Sequence, residues 1–110
     1  MAVVADDAFL SEVRRKAGML RQGLEGLVAS HPEVFELVRG SGLMLGLRCR
    51  LPVPDVIEAA YAQELCIVPA ADQTVRLLPP LNIEDADIRE ALARLDRAAA
   101  ALGARQAEHA

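Results

Sequence analysis

Val75-Arg76-Leu77-Leu78-Pro79-Pro80-Leu81 decides how this chain folds. With Thr74 ahead of it, the run is β-branched or apolar apart from one arginine. Two prolines stop it, since proline lacks the N–H that a sheet ladder needs. The spacing predicts a strand over residues 74–78. Just upstream, Ala70-Ala71-Asp72-Gln73 reads as a turn and residues 65–69 as a second short strand, so these two strands form a hairpin. Arg76 needs a reason to stand there, because a guanidinium on an apolar surface must find a partner or water. The run alone does not say whether that reason is structural or functional.

Working outward, residues 38–50 alternate with period two. Leu43, Leu45, Leu47 and Cys49 point one way, and Met44, Gly46, Arg48 and Arg50 the other. This predicts a further strand, the first in the chain, whose second face is covered near Met44 and solvated at the two arginines. Gly40, Gly42 and Gly46 suggest bulges or close backbone contact. They lead into a strand instead of opening a helix, and their spacing is not that of a dinucleotide-binding loop.

Three helices complete the pattern. Leu10, Val13, Ala17, Leu20, Leu24 and Leu27 recur at intervals of three and four, which predicts a helix over 6–29 with charged outer faces. Gly18, Gly23 and Gly26 weaken it and admit close approach of another element. Ser30-His31-Pro32-Glu33 then breaks the helix, leaving His31 as an exposed loop histidine. Pro52-Val53-Pro54-Asp55 opens a second helix running to about residue 64, with Val56, Ile57, Ala60 and Leu65 on its buried stripe. After the prolines, Glu84, Asp85 and Asp87 suit the positive end of a last helix with the stripe Ile88, Leu92, Leu95, Ala99 and Leu102. That helix is expected to end near Gly103, with residues 104–110 as a tail.

The fold expected is α+β: a two-layer sandwich in the order α-β-α-β-β-α, one domain over residues 1–103. Its three-stranded, largely antiparallel sheet has the order 1-3-2, with the helices packed on one face.

Composition narrows the functional classes. The chain has 110 residues, a length that supports one core without disulfides or metal. Its net charge of −4, with no basic face, argues against a nucleic-acid partner. Its apolar runs are too short to span a bilayer, and no signal peptide is evident. Cys49 and Cys66 stand far from His31 and His109, so they read as two buried or half-buried thiols of a cytosolic protein, not as metal ligands.

Two stretches together carry a resemblance. Val38-Arg39-Gly40-Ser41-Gly42-Leu43-Met44-Leu45-Gly46 and Arg76-Leu77-Leu78-Pro79-Pro80-Leu81 resemble the C-terminal small domain of class III pyridoxal-phosphate aminotransferases, and among them the acetylornithine type. The match runs from about Ala2 to Leu102. It implies that Arg76 binds the α-carboxylate of an amino-acid substrate, and it assigns this chain no catalytic, cofactor-binding or metal-binding residue. The parent reaction would pass the ω-amino group of N-acetylornithine to 2-oxoglutarate in arginine biosynthesis.

The resemblance also implies partners: a large domain that holds pyridoxal phosphate, and further copies in a homo-oligomer. The cofactor would not be held by this chain alone, because its one lysine, Lys16, reads as a solvated residue of the first helix. The isolated chain is therefore expected to be inactive, and oligomeric or prone to aggregate. Two departures accompany the match. The family's upstream Gly-Asn-Pro turn is absent, so Met1 falls inside or just before a family helix, and Glu84 stands where relatives often place Thr or Ser. Two other readings stay open: an autonomous small-molecule or regulatory binding module of split βαβ type, and a protein-interaction module centred on Met44.

Overall fold

The computed structural model describes residues 7–41, 44–77 and 83–109. The elements are α1 (Asp7–Ser30), β1 (Phe35–Ser41), β2 (Met44–Cys49), α2 (Val53–Ala62), β3 (Val68–Ala70), β4 (Thr74–Arg76) and α3 (Asp85–His109). Among the described residues, three helices and one antiparallel sheet make the α+β class expected.

The sheet corrects the expected topology. It has four strands in the order β1-β2-β4-β3, not three in the order 1-3-2. The additional strand comes from the segment read as one strand over 38–50, which is two strands paired antiparallel, with Arg39 opposite Gly46 and Ser41 opposite Met44. Alternation did not reveal the reversal, because Gly40, Ser41 and Gly42 carry no apolar side chain to mark a change of face. Gly40 has φ 98, a backbone conformation that glycine adopts without steric cost. β4 pairs with β2 on one side and with β3 on the other, so the predicted hairpin of the two short strands is present. The expected strand end at Leu78, and Pro79-Pro80-Leu81 after it, lie outside the described residues, as does the Met44 side chain.

Leu45, Leu47 and Cys49 of β2 and Val75 of β4 are buried on one face of the sheet, where they meet Leu20, Leu24 and Leu27 of α1. Ile88, Leu95, Ala99 and Leu102 of α3 complete this core, while Leu92 packs partly buried at its edge. Each fully buried Leu or Ile contributes roughly 1.5–3 kcal/mol relative to exposure. Val56, Ala59 and Ala60 anchor α2, whose first turn carries a proline and Asp55. Just past the end of α2, Glu64 takes φ 61, and Arg94 Nη1 donates to the Glu64 carbonyl at 2.8 Å.

Further expectations are corrected. α3 does not stop near Gly103 but continues to His109. Gly103 serves a different purpose, since a Cβ there would stand 2.8 Å from Glu33 Oε1. Gly23 likewise admits the Leu92 side chain, which a Cβ would strike, whereas Gly18 and Gly26 face open space. His31 is not an exposed loop residue: its side chain is only 13% accessible and its Nε2 lies 2.7 Å from Asp96 Oδ1. The cause is α3, which passes over the loop. Of the two thiols, Cys49 is buried and Cys66 is exposed.

Candidate functional site

Among the described residues, helices cover one face of the sheet and leave the other open. The antiparallel register fixes what the open face presents. Arg39 of β1 lies opposite Gly46 of β2, which lies opposite Arg76 of β4, which lies opposite Val68 of β3. The next row is Leu37, Arg48, Thr74 and Ala70. Because side chains alternate, Val75 enters the core while Arg76 beside it faces outward.

Gly46 sets the depth of this face. A Cβ there would stand 2.8 Å from the Val75 carbonyl and 2.9 Å from Thr74 Cγ2, so the position accepts only hydrogen. A depression of ≈ 250 Å³ lies on this face, with Gly46 in its lining, Arg39 and Arg76 on either side of Gly46 in the row, and Asp72 and Thr74 also lining it.

The turn between β3 and β4 frames that end. Asp72 at φ 64 and Gln73 at φ 59 both take the left-handed conformation that turns the chain back. Cys49 N–H donates to the Gln73 carbonyl at 2.7 Å, and Thr74 Oγ1 donates to the Asp72 carbonyl at 3.0 Å, which pins the turn to the end of β2.

On the described strands Arg39, Arg48 and Arg76 stand on the open face, and they differ in their commitments. Arg39 Nη2 pairs with Asp72 Oδ2 at 2.8 Å. Arg48 Nη2 is 3.5 Å from Asp72 Oδ1, and its Nε is 3.6 Å from Glu36 Oε1. The latter distance is an ion pair but too long for a hydrogen bond, so Arg48 Nε is buried without a hydrogen-bond partner among the described residues. Arg76 is exposed and, among the described residues, its side chain makes no ion pair or hydrogen bond. Asp72 and Arg39 are each nearly half accessible, and pairs so exposed contribute at most about 1 kcal/mol. The arrangement therefore acts through field and geometry more than through stability: a planar donor fork beside an empty slot can take a carboxylate or another oxyanion.

From the sequence, Arg76 is the residue of this face given a substrate role, while Gly46 is marked for the close backbone contact that the Val75 carbonyl makes. Arg39, Gly46 and Asp72 were not assigned to a site. Their signal is the cross-strand register, which a single chain does not print. Other clefts differ in kind: one of ≈ 340 Å³ lined by Glu12, Arg15, Lys16, Glu84 and Asp85 is charged, but Arg15 is paired there with both Glu12 and Asp85. A cleft of ≈ 170 Å³ lined by Leu20, Leu65, Cys66, Ile67, Leu77 and Ile88 offers little beyond apolar surface and one thiol. Burial pushes the other thiol, Cys49, up to about 11, so it is a poor nucleophile. Among the described residues no three His, Cys, Asp or Glu side chains gather as a metal site, and no helix is long and apolar enough to cross a membrane.

Comparison with known proteins supplies the context. Residues 1–99 match the family model for class-III aminotransferases. The chain is 63% identical over 100 residues to the acetylornithine aminotransferase of Rhodobacter capsulatus, covering 91% of this chain and 25% of that protein. It is 50% identical over 93 residues to the acetylornithine aminotransferase of Mesorhizobium japonicum, covering 84% of this chain and 23% of that one. The crystal structure of N-acetylornithine aminotransferase from Stenotrophomonas maltophilia superposes with a TM-score of 0.82 at 32% identity, over 92% of this chain and 29% of that one. The ornithine aminotransferase of Toxoplasma gondii shares the fold, with a TM-score of 0.80 at 20% identity, over 94% of this chain and 25% of that one. The chain thus spans about a quarter of the length of the curated relatives it matches. By this match over residues 1–99 and by identity to its relatives, the chain belongs to the class-III aminotransferase family.

Proposed function

We propose that the chain is the C-terminal small domain of a pyridoxal-phosphate aminotransferase of the acetylornithine type, and that Arg76 holds the α-carboxylate of the amino-acid substrate. The parent reaction moves the ω-amino group of N-acetylornithine to 2-oxoglutarate, a step of arginine biosynthesis. The relatives' names support the substrate, and the quarter-length coverage supports a larger parent containing a large domain. One observation carries the role of Arg76: its guanidinium is exposed, uncommitted among the described residues, and lines a depression beside Gly46. A carboxylate accepts two parallel N–H bonds from such a fork, which fixes its orientation as well as its charge, and lysine does not reproduce this.

Pyridoxal phosphate, when bound, supplies the electron sink of the family's chemistry. It is held through a lysine, and the residues of this chain do not fit that need. The one lysine, Lys16, lies on α1, in the helical layer on the far side of the sheet from Arg76. The large domain therefore provides the lysine and the cofactor pocket, in a homo-oligomeric parent, and this chain alone binds substrate carboxylate without turning it over.

Titrating the ¹⁵N-labelled chain with glutamate tests the reading. A saturable shift of the Arg76 Nε–H, with affinity lost in Arg76→Gln, is expected; saturable binding unchanged by that substitution overturns it. With pyridoxal phosphate, N-acetylornithine and 2-oxoglutarate added, the chain should form no glutamate. Turnover abolished by Lys16→Ala overturns the claim of inactivity.

A further inference from the structure

We infer that Asp72 determines which anions the open face accepts: by engaging Arg39 and sharing Arg48, it leaves Arg76, among the described residues of this cluster, as the uncommitted guanidinium and restricts the slot to one carboxylate at a time. The inference rests on the reading of Arg76 as a carboxylate-binding residue.

The groups involved are few and close. Arg39 and Arg76 flank Gly46 in one row, so their Cα atoms stand two strand spacings apart, about 10 Å. Two arginine side chains can close that gap around one short dicarboxylate. Asp72 prevents this by taking Arg39 Nη2 at 2.8 Å and approaching Arg48 Nη2 at 3.5 Å. Glu36 is the other acid facing the cluster, 3.6 Å from Arg48 Nε. In this cluster Arg39, Arg48 and Arg76 stand against Asp72 and Glu36, an excess of one positive charge that Arg76 carries. Neutralising Asp72 doubles the excess and releases Arg39 toward the slot.

The backbone allows a clean test. Asp72 sits at φ 64, a conformation asparagine tolerates as well as aspartate does, so Asp72→Asn removes the charge and keeps the turn. The probes are acetate and glutarate, titrated at low ionic strength into the ¹⁵N-labelled full chain and followed at the arginine Nε–H signals. A charge change at this distance in a water-like dielectric acts once on a monoanion and twice on a dianion. Asp72→Asn should therefore tighten acetate by about threefold and glutarate by about tenfold, with Arg39 joining Arg76 among the shifted signals only for glutarate. Adding Arg39→Gln to Asp72→Asn should remove the glutarate preference.

Equal gains for the two anions, or no gain, overturn the inference, whether or not acetate binds the wild-type chain. Failure of the underlying reading looks different: acetate binding to the wild-type chain would be indifferent to Arg76→Gln.

Discussion

Arg15 grips Asp85 through two parallel hydrogen bonds, Nη1 to Oδ2 at 3.0 Å and Nη2 to Oδ1 at 2.8 Å, and so ties α1 to the first turn of α3. The same guanidinium also holds Glu12, with Nε to Oε1 at 2.9 Å. Hydrogen bonding to Arg15 keeps both carboxyls below their usual range. A carboxyl depressed in the folded state contributes stability above its unfolded value and loses it as pH falls through the lowered folded value. The thermal midpoint should therefore fall as the medium is acidified below the ordinary carboxylate range. Arg15→Gln should flatten that acid limb while lowering the midpoint near neutrality. A limb unchanged by Arg15→Gln, in calorimetry across an acid series, would count against this account.

Gly46→Ala tests the floor of the slot. The added methyl meets the Val75 carbonyl at 2.8 Å, a backbone atom that cannot turn aside. Overpacking of this kind costs typically 1–3 kcal/mol, read as a lower urea midpoint with unchanged slope. The methyl also fills space beside Arg76, so carboxylate affinity should fall in whatever fraction stays folded. Unaltered stability and affinity would show that the strands separate here without penalty.

The two thiols should label at very different rates. Cys66 is exposed, whereas Cys49 is 2% accessible and pushed up to about 11 by burial. Near pH 8, a disulfide reagent should modify one thiol per chain rapidly and the second only on unfolding. Cys66→Ser should abolish the fast phase, and survival of that phase would mean that Cys49 is reached from solvent in the native state.

His31 offers a further check on packing. Its Nε2 contact with Asp96 at 2.7 Å joins the loop after α1 to the middle of α3, and its Nδ1 is 3.9 Å from Glu33. Replacing it with alanine removes a largely buried ring and leaves Asp96 without that partner. A loss of about 1–2 kcal/mol is expected in denaturant unfolding. His31→Asn should recover part of it if the hydrogen bond matters more than the ring.

Periodicity made the helices legible because each has a wet and a dry side. Leu20, Leu24 and Leu27 in α1, and Ile88, Leu95, Ala99 and Leu102 in α3, follow the expected stripes into the core. The first strand pairing was hidden for a physical reason: Gly40 and Ser41 bring no apolar side chain to β1, and the chain reverses at the place where the hydrophobic pattern is silent. Gly103 was misread because a glycine late in a helix resembles a terminator, and nothing local shows that Glu33 will come against it. At the site, Arg76 was legible as an arginine on an apolar strand. Arg39 and Asp72 were not, since their meeting depends on partners that lie far apart along the chain.

The pairing of Gly46 with Arg76 has a consequence for folding. Successive strand residues face opposite ways, so sliding β4 by one position against β2 would send the guanidinium into the leucine core and turn Val75 out to water. An off-by-one intermediate would thus lose its packing and, with it, the outward guanidinium that the proposed carboxylate contact requires. Under the proposed role of Arg76, carboxylate binding would report on strand alignment, and a ligand that selects the bound form would also select correctly threaded molecules during refolding.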